Sequence, residues 1–567
     1  MRSINISDNR RKQKKKKSLF LFPVVISLIV VLGYFFFTDK NGLLNSIEYL
    51  FSKKNFVLEY KTYDIYTKDL GDDLKSEIVS SLESIEFEEK KRFYFVEKES
   101  KSDFVLEYGA SENAIYSQYL LPVGQMYWIN DSVSSDDLAN SEYTLLLNID
   151  TYNRYYDFLK RMYPNTEIKS SDNLISDLEN EDSGNIGLIE KEDLNKDFKL
   201  LKYDGKYYLD TFDGGIAISL GLSSTDENVN VSFVSNIIKK NLSLNSEDFN
   251  SENVAKVNMT GVTALARRVA QAMAVRNDYD YPAEKIASFL SDADLTHTSN
   301  EISFVDGCTT YSGMRFCSNP KSIETLKAIG ADLIELTGNH NNDFGSSNNT
   351  MTIESYIDAG IGYFGGGWDD EDASQAYIVE IDGTSIAFLG YNYYDSTVGN
   401  PGALASSTHA GANSYSDEKV KRNIGDLRDE VDIIIVDFQF QECYSYPSSD
   451  VIYPVCYKPI TNQSNVFRKA IDYGADIVVG TQAHQPQTYE LYGDGVIFYG
   501  LGNLFFDQSM WIGTRQGMIL THYFKDGQLI QTKITPTIYD SSLQVEVADS
   551  DDADLLLELL KTARKSI

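Results

Sequence analysis

Four short segments in the second half of the chain gather the side chains that could do chemistry. In the first, Ala331 to Gly345 (ADLIELTGNHNNDFG), an apolar strand runs into Thr337-Gly338-Asn339-His340, and Asp343 follows three residues on. A carboxylate at that spacing can orient an imidazole and fix which ring nitrogen carries the proton. A lone histidine is more often structural, but this Gly-Asn-His-x-x-Asp-x-Gly run puts His340 and Asp343 forward as a catalytic pair. The second segment, Ala475 to Glu490 (ADIVVGTQAHQPQTYE), again leads a strand into a polar turn, here with His484 and then Glu490. The third, Gly500 to Gln508 (GLGNLFFDQ), holds Asn503 and Asp507, and the fourth, Ala293 to Glu301 (ADLTHTSNE), holds Asp294, His297, Asn300 and Glu301. Taken singly, each could be a polar loop with helix-capping Asn and Asp. Together they offer the carboxylate, amide and imidazole groups that divalent ions take, drawn from several strand ends.

Those groups need a scaffold, and the sequence supplies an α/β one. From about Val254 onward strand candidates recur (VAKVNMTGVT, ADLIELTG, SIAFLGYN, VDIIIVDFQF, ADIVVGTQ, GVIFYGLGN), with helix candidates such as TALARRVAQAM, YPAEKIASFLSD, PKSIETLKAIG and NVFRKAIDYG between several of them. In such folds the carboxyl ends of the strands line one edge, so Asp294, Asn339, His340 and His484 are expected in one pocket. DDADLLLELLKTARKSI reads as a closing amphipathic helix, acidic first and basic last. A second, smaller α/β domain is expected over 56–245, from runs such as DLKSEIVSSLESI, DFVLEYG, EYTLLLNID and YNRYYDFLKRMY, with the acidic LNSEDFNSEN as a connector to a domain over 254–567.

The chain has 567 residues, 42% of them hydrophobic and 12% aromatic, with a mean hydropathy of −0.30. That is enough for two or three domains with real cores and excludes a largely disordered or polytopic membrane protein. The net charge of −33 argues against nucleic-acid binding. The charge is uneven, since residues 1–18 carry eight Lys and Arg against the single acid Asp8. The next 19 residues, 19–37 (LFLFPVVISLIVVLGYFFF), have no charge and match the length of a membrane-crossing helix. A cleavable signal would have a shorter core and a small-residue cleavage site, and a buried core helix would not carry the basic flank, so 19–37 reads as an uncleaved anchor. The basic tail 1–18 then stays in the cytoplasm, and a linker at 38–55 leads to domains outside the cell. In that oxidising setting Cys308, Cys317, Cys443 and Cys456 are expected as the sequence-local disulfides 308–317 and 443–456, ahead of free thiols or zinc, although four cysteines allow three connectivities.

The order TGVTALAR, ADLTHTSNE, TGNHNNDFG, FGGGWD, FQFQE, GTQAHQPQTYE, YGLGNLFFDQ resembles the CapA-type capsule and poly-γ-glutamate synthesis family over about 254–540. The resemblance implies a metallophosphoesterase-like αββα sandwich, membrane-anchored with its domain outside, and a role in making or exporting an anionic surface polymer. It further implies metal ligands at Asp294, Glu301, Asn339 and His484, and ligand contacts from Arg267, Glu442, Glu490, Asn503 and Asp507. Three positions depart from the family pattern: Val262, Phe438 and Gln482 stand where an aspartate and two histidines are expected. The site is therefore expected to be reduced, holding one divalent ion or none rather than two. Two classes of function follow, a metal-dependent phosphoesterase or hydrolase and a non-catalytic binder or scaffold. The implied partners are an anionic polymer or phosphorylated precursor, the membrane, and polymer-synthase membrane subunits. The earlier stretch around GNIGLIEKEDLNKDFKLLKYDGKYYLDTFDGGIAISLGL loosely resembles one lobe of an extracellular solute-binding protein, with no transferable ligand motif.

Overall fold

The structure is a computed structural model. It describes Arg2–Ser3 and residues 62–567, apart from 69, 84, 88–89, 110–112, 141, 180–183, 225–229, 242–252, 310–312, 400–401, 442, 444–453, 461, 510 and 566. The expected anchor at 19–37 and the linker at 38–55 lie outside the described residues, as does Glu442. Among the described residues no helix is long and apolar enough to cross a membrane. The chain divides into two compact units: Ser251–Ile567 with Met1–Arg10 and Asn195–Asp197, and Arg11–Leu194 with Phe198–Asn250.

The second of these is built on a nine-stranded mixed sheet. Its long strand Ala114–Gln125 pairs antiparallel with Asn185–Glu190 on one side and Ile216–Ser223 on the other, and shorter parallel strands extend both edges. The expected helix at YNRYYDFLKRMY forms as Ile149–Met162. Asn148 caps it by accepting from the Thr151 N–H, and Tyr155, Phe158 and Leu159, at i, i+3 and i+4, turn into the core.

Among the described residues the C-terminal unit has fourteen strands from residue 255: β1 (Ala255–Thr263), β2 (Leu295–Asn300), β3 (Leu333–Glu335), β4 (Gly362–Phe364), β5 (Tyr377–Ile381), β6 (Thr384–Asn392), β7 (Ile433–Gln439), β8 (Ile477–Thr481), β9 (Pro486–Tyr492), β10 (Gly495–Leu501), β11 (Asn503–Phe505), β12 (Gln516–Lys525), β13 (Gln528–Tyr539) and β14 (Val545–Val547), leaving aside the two-residue pair at Gly366–Gly367 and Gly411–Ala412. The helices used below are α1 (Arg267–Arg276), α2 (Ile323–Ala328), α3 (Ser346–Ala359), α4 (Tyr394–Val398), α5 (Asp417–Leu427), α6 (Gln463–Asp472) and α7 (Ser550–Arg564). One sheet runs β4-β3-β2-β1-β12-β13-β14, with β11 also beside β1; the other runs β5-β6-β7-β8-β10-β9, and Arg2–Ser3 adds a two-residue edge next to β5. β1 to β4 are parallel to one another, as are β6, β7, β8 and β10.

Alternation along the strands sorts side chains into layers. Ile434, Val436 and Phe438 of β7 face a core with Val420 and Ile424 of α5 and Phe467 and Ile471 of α6. Ile334 and Tyr363 face Val269 and Met273 of α1, Leu326 of α2, and Ile353 and Tyr356 of α3. On the opposite faces Phe364 and His297 of one sheet meet Phe388 of the other, at ring separations of 5.7 and 6.4 Å. The result is helices, sheet, sheet, helices, the four-layer α/β arrangement that the family resemblance implies. The helix expected at YPAEKIASFLSD is instead two short turns, Tyr281–Ala283 and Ala287–Leu290. The closing helix forms as α7, with Asp549 capping its start and Lys561 and Arg564 in its last turn.

Candidate functional site

The turn after β3 is held on every side. The Thr337 N–H and hydroxyl both donate to Glu335 Oε1, and the Thr337 carbonyl accepts from Asn392 Nδ2 at 2.8 Å, tying the end of β3 to the end of β6 in the other sheet. Gly338 presses so closely on Glu301 that a Cβ there would lie 2.6 Å from the Glu301 Cα. His340 then emerges with Nδ1 2.8 Å from Asp343 Oδ2. The carboxylate only accepts, so the proton sits on Nδ1 and exchange with a ligand runs through Nε2.

His484 lies in the loop between β8 and β9 and is 3% exposed. Its Nδ1 is 2.9 Å from Asn503 Oδ1, and Asn503 Nδ2 donates back to the His484 carbonyl at 3.1 Å. An aromatic pair joins the two histidines: His340 to Phe316 at 4.6 Å, Phe316 to Phe506 at 5.8 Å, and Phe506 to His484 at 5.1 Å. Arg267 lies over both phenyl rings, 4.5 Å from Phe316 and 5.3 Å from Phe506. Its backbone holds φ +50, a conformation that L-residues rarely adopt and that tends to mark functional positions. Asp507 accepts from the Arg268 N–H at 3.2 Å, so it serves the start of α1, and it lies 3.6 Å from the Arg268 guanidinium.

Sequence reasoning passed over one strand-end acid. Asp395, in the first turn of α4 beyond β6, is buried, and its N–H donates to Asn392 Oδ1 at 2.8 Å. Burial pushes its carboxyl up to about 6; Asn392 and His340 pull it down, and the charges of Asp343 and Glu301 push it up, which places it electrically in this site. The signal was present, since Tyr394-Asp395 follows the strand SIAFLGYN as His340 follows ADLIELTG. A further charged layer lies between the sheets. There His297 Nε2 is 3.1 Å from Asp437 Oδ2, with both side chains wholly buried. Burial raises Asp437 against the pull of His297, and burial together with the Asp437 charge raises Glu335 to about 8.

The structure therefore brings Arg267, Glu301, Asn339, His340, Asp343, His484, Asn503 and Asp507 to the carboxyl edge of the strands. Two expected residues are placed elsewhere. Asp294 precedes β2 rather than following it, and its Oδ2 accepts the Lys256 N–H at 3.0 Å. A six-residue strand, roughly 20 Å, separates it from the edge where β2 ends, so it is not a ligand of this site. Glu490, on β9, is gripped by Arg468 of α6 at 2.6 and 2.8 Å and is committed to that pair rather than to a ligand. The three departures from the family pattern also have structural homes. Phe438 turns to the helix layer, against Phe467 at 5.1 Å. Gln482 accepts from Gln439 Nε2 at 2.6 Å, and Val262 is core. Among the described residues no three His, Cys, Asp or Glu side chains are gathered to hold a metal ion. Glu301 Oε1, Asn339 Oδ1 and both carboxylate oxygens of Asp395 are buried without a hydrogen-bond partner, and oxygens of this kind are what a hard cation takes. Since no three such acid, thiol or imidazole side chains gather among the described residues, no step is routed through a metal ion.

The sequence profile of the family described as "Bacterial capsule synthesis protein PGA_cap" matches residues 256–508. This segment belongs to the CapA-type capsule-synthesis family. The chain is 24% identical over 317 residues to the capsule biosynthesis protein CapA of Bacillus anthracis, covering 54% of this chain and 73% of that protein. It is 26% identical over 220 residues to the PGA biosynthesis protein CapA of Bacillus subtilis (strain 168), covering 39% of this chain and 54%, about half, of that relative. Among solved structures, the calcineurin-like phosphoesterase YfkN of Bacillus subtilis aligns over 55% of this chain and 99% of its own at 10% identity and TM-score 0.28. An ABC-type phosphate transport receptor of Vibrio cholerae aligns over 31% and 93% at 11% identity and TM-score 0.23.

Proposed function

We propose that this protein works in the synthesis or export of an anionic surface polymer of the poly-γ-glutamate type, and that its capsule-synthesis segment grips the polymer, or a phosphorylated precursor of it, beside His340 and His484. The observation that carries the reading is the aromatic bridge between the two histidines with Arg267 stacked on it. Arg315, exposed and 4.8 Å over Phe344, adds a second guanidinium beside the His340–Asp343 pair, and Arg268 a third nearby. A chain with a net charge of −33 repels a polyanion in general, so binding one requires a local cationic lip of this kind. In this reading the arginines bind carboxylate or phosphate groups, and His340, its Nδ1 engaged by Asp343, exchanges a hydrogen bond or proton with the bound group through Nε2. Poly-γ-glutamate binding to the full-length protein in detergent tests it. Arg267→Ala and His340→Ala should each weaken binding at least several-fold, and added salt should weaken it further; binding that neither variant changes overturns the reading.

The same reading places residues 38–567 outside the cell, held by 19–37, next to polymer-synthase subunits in the membrane. This topology and the pairing of Arg2–Ser3 with β5 exclude one another, so it requires that edge to be released. Protease added to intact cells should remove the two units; full protection sinks the topology.

A further inference from the structure

We infer that Arg315 and Phe316, tethered by the Cys308–Cys317 disulfide, are positioning residues for His340, and that the disulfide is what keeps them in place. Asp343 Oδ2 accepts two hydrogen bonds, one from His340 Nδ1 and one, also 2.8 Å, from the main-chain N–H of Phe316. The second bond fixes the carboxylate rotamer, and so fixes which face it offers the imidazole. The Phe316 ring stands edge-on to the imidazole at 4.6 Å and 74°, limiting the rotation of the histidine. Arg315 donates through Nε, at 3.1 Å, and through Nη2 to the Asp343 carbonyl, which steadies the main chain of the same turn. Three contacts from two adjacent residues thus converge on one His-Asp pair.

The covalent link supplies what the loop lacks. Phe316 is followed by Cys317, which is buried and bonded to Cys308 with 6.0 Å between the Cα atoms. Between them, Thr309 and Gly313 to Arg315 are exposed and belong to no helix or strand. Ser318, just beyond Cys317, is held by main-chain bonds to Ser303 and Val305. With the disulfide intact, Arg315 and Phe316 have little freedom to leave Asp343; with it cut, the arm keeps only its main-chain anchors at Val305 and Ser318 and becomes a longer, looser loop between them. A carboxylate partner selects a histidine tautomer by geometry, so loosening the arm releases that selection. Site geometry is thereby tied to an oxidising compartment.

The inference concerns the site of the reading above, but its test needs neither the polymer nor a reaction. The chain has five histidines, so 15N-histidine labelling of the full-length protein gives a sparse spectrum in which each ring's tautomer is read from its two nitrogen shifts. In the native protein, with the ring neutral, His340 should show only the Nδ1–H tautomer. In the Cys308→Ser, Cys317→Ser double variant it should become a mixture of both tautomers, while His297 and His522, buried between the sheets, keep their shifts and report an intact fold. The Cys443→Ser, Cys456→Ser variant, which opens the other disulfide, should leave His340 unchanged. If the double variant loses the His297 and His522 signals, Arg315→Ala, an exposed change, should move His340 in the same direction by a smaller amount. A His340 that stays purely Nδ1–H in a folded double variant, or in Arg315→Ala, overturns the proposal. A tautomer shift with unaltered polymer binding would leave this inference standing and count against the polymer reading alone.

Discussion

Glu335→Gln should remove a pH dependence from the C-terminal unit without removing the fold. Glu335 closes β3 in full burial; its Oε1 accepts from Thr337, and its Oε2 has no partner. Burial first, and the Asp437 charge second, hold its carboxyl at about 8, against the Ser299 hydroxyl and the Thr337 N–H. In the unfolded chain the same group releases its proton near pH 4.3. The folded state therefore keeps a proton over a range in which the unfolded state has lost it, so stability falls as pH rises through that range and levels off above about 8. From about pH 5.5 to 7.5 the difference is nearly one proton, a loss of about 2 kcal/mol, towards a ceiling of about 5 kcal/mol at higher pH. Gln cannot ionise. Its unpaired amide costs a constant amount, about 1–3 kcal/mol, which offsets the curve but does not tilt it. The measurement is urea unfolding of the full-length protein across this pH range, with hydrogen exchange of the slowest β3 and β7 amides to isolate the C-terminal unit. The wild-type curve should descend more steeply than that of the variant. Parallel curves would refute the reasoning, because they would mean that Glu335 gains no proton on folding.

Arg468→Met leaves Glu490, whose side chain is 6% exposed, without its two-pronged partner, and urea unfolding should show a loss of about 3 kcal/mol with polymer binding unchanged. Weaker binding at unchanged stability would return Glu490 to a ligand-contacting role. Gly261→Ala drives a Cβ into the Gly502 carbonyl beside β11, and should cost about 3 kcal/mol or more; a melting point equal to wild type would show that the strands can part there at little cost. Burial raises Asp540, but Lys285, Ser542 and the Gln544 N–H outweigh it and hold the carboxyl down at about 2, so its contribution exists above its unfolded pKa of about 3.9 and is lost as pH falls through 2. Asp540→Asn should therefore be less stable than wild type at neutral pH, with the gap closing in acid; a gap that persists at about pH 2 would contradict this assignment.

The legible parts of the fold were those whose local pattern and tertiary fate agree. IIIVDFQ and IVVGT read as buried strands because parallel strands covered on both faces are apolar throughout, and β7 and β8 are of that kind. LTHTSN does not read as a strand at all, yet β2 is buried along its whole length. Several of its polar groups find partners far along the chain, Thr298 in Thr263 and Asn300 in Tyr356. Missing that strand caused the misplacement of Asp294, since the polar run looked like a turn after a strand when it was the strand itself. α3 escaped for a related reason, its SSNNT opening having the composition of a loop although it runs to a Gly360 cap at φ +74.

Spacing within a few residues was enough to set out the His340–Asp343 pair, because the main chain of one tight turn brings i and i+3 within reach of each other; the structure has the two at 2.8 Å. The two sequence-local disulfides are of the same sort, and both are formed. Tertiary packing alone could decide which strand-end groups share an edge. Asp294 and Glu301 bracket one strand and so point to opposite ends of it, while Phe316, Asp395 and His484 come from three separate connections. Glu490, a free carboxylate on paper, was claimed by Arg468 of a neighbouring helix. Short-range chemistry follows from covalent reach, whereas membership of a site depends on strand direction and on which groups have already spent their hydrogen bonds elsewhere.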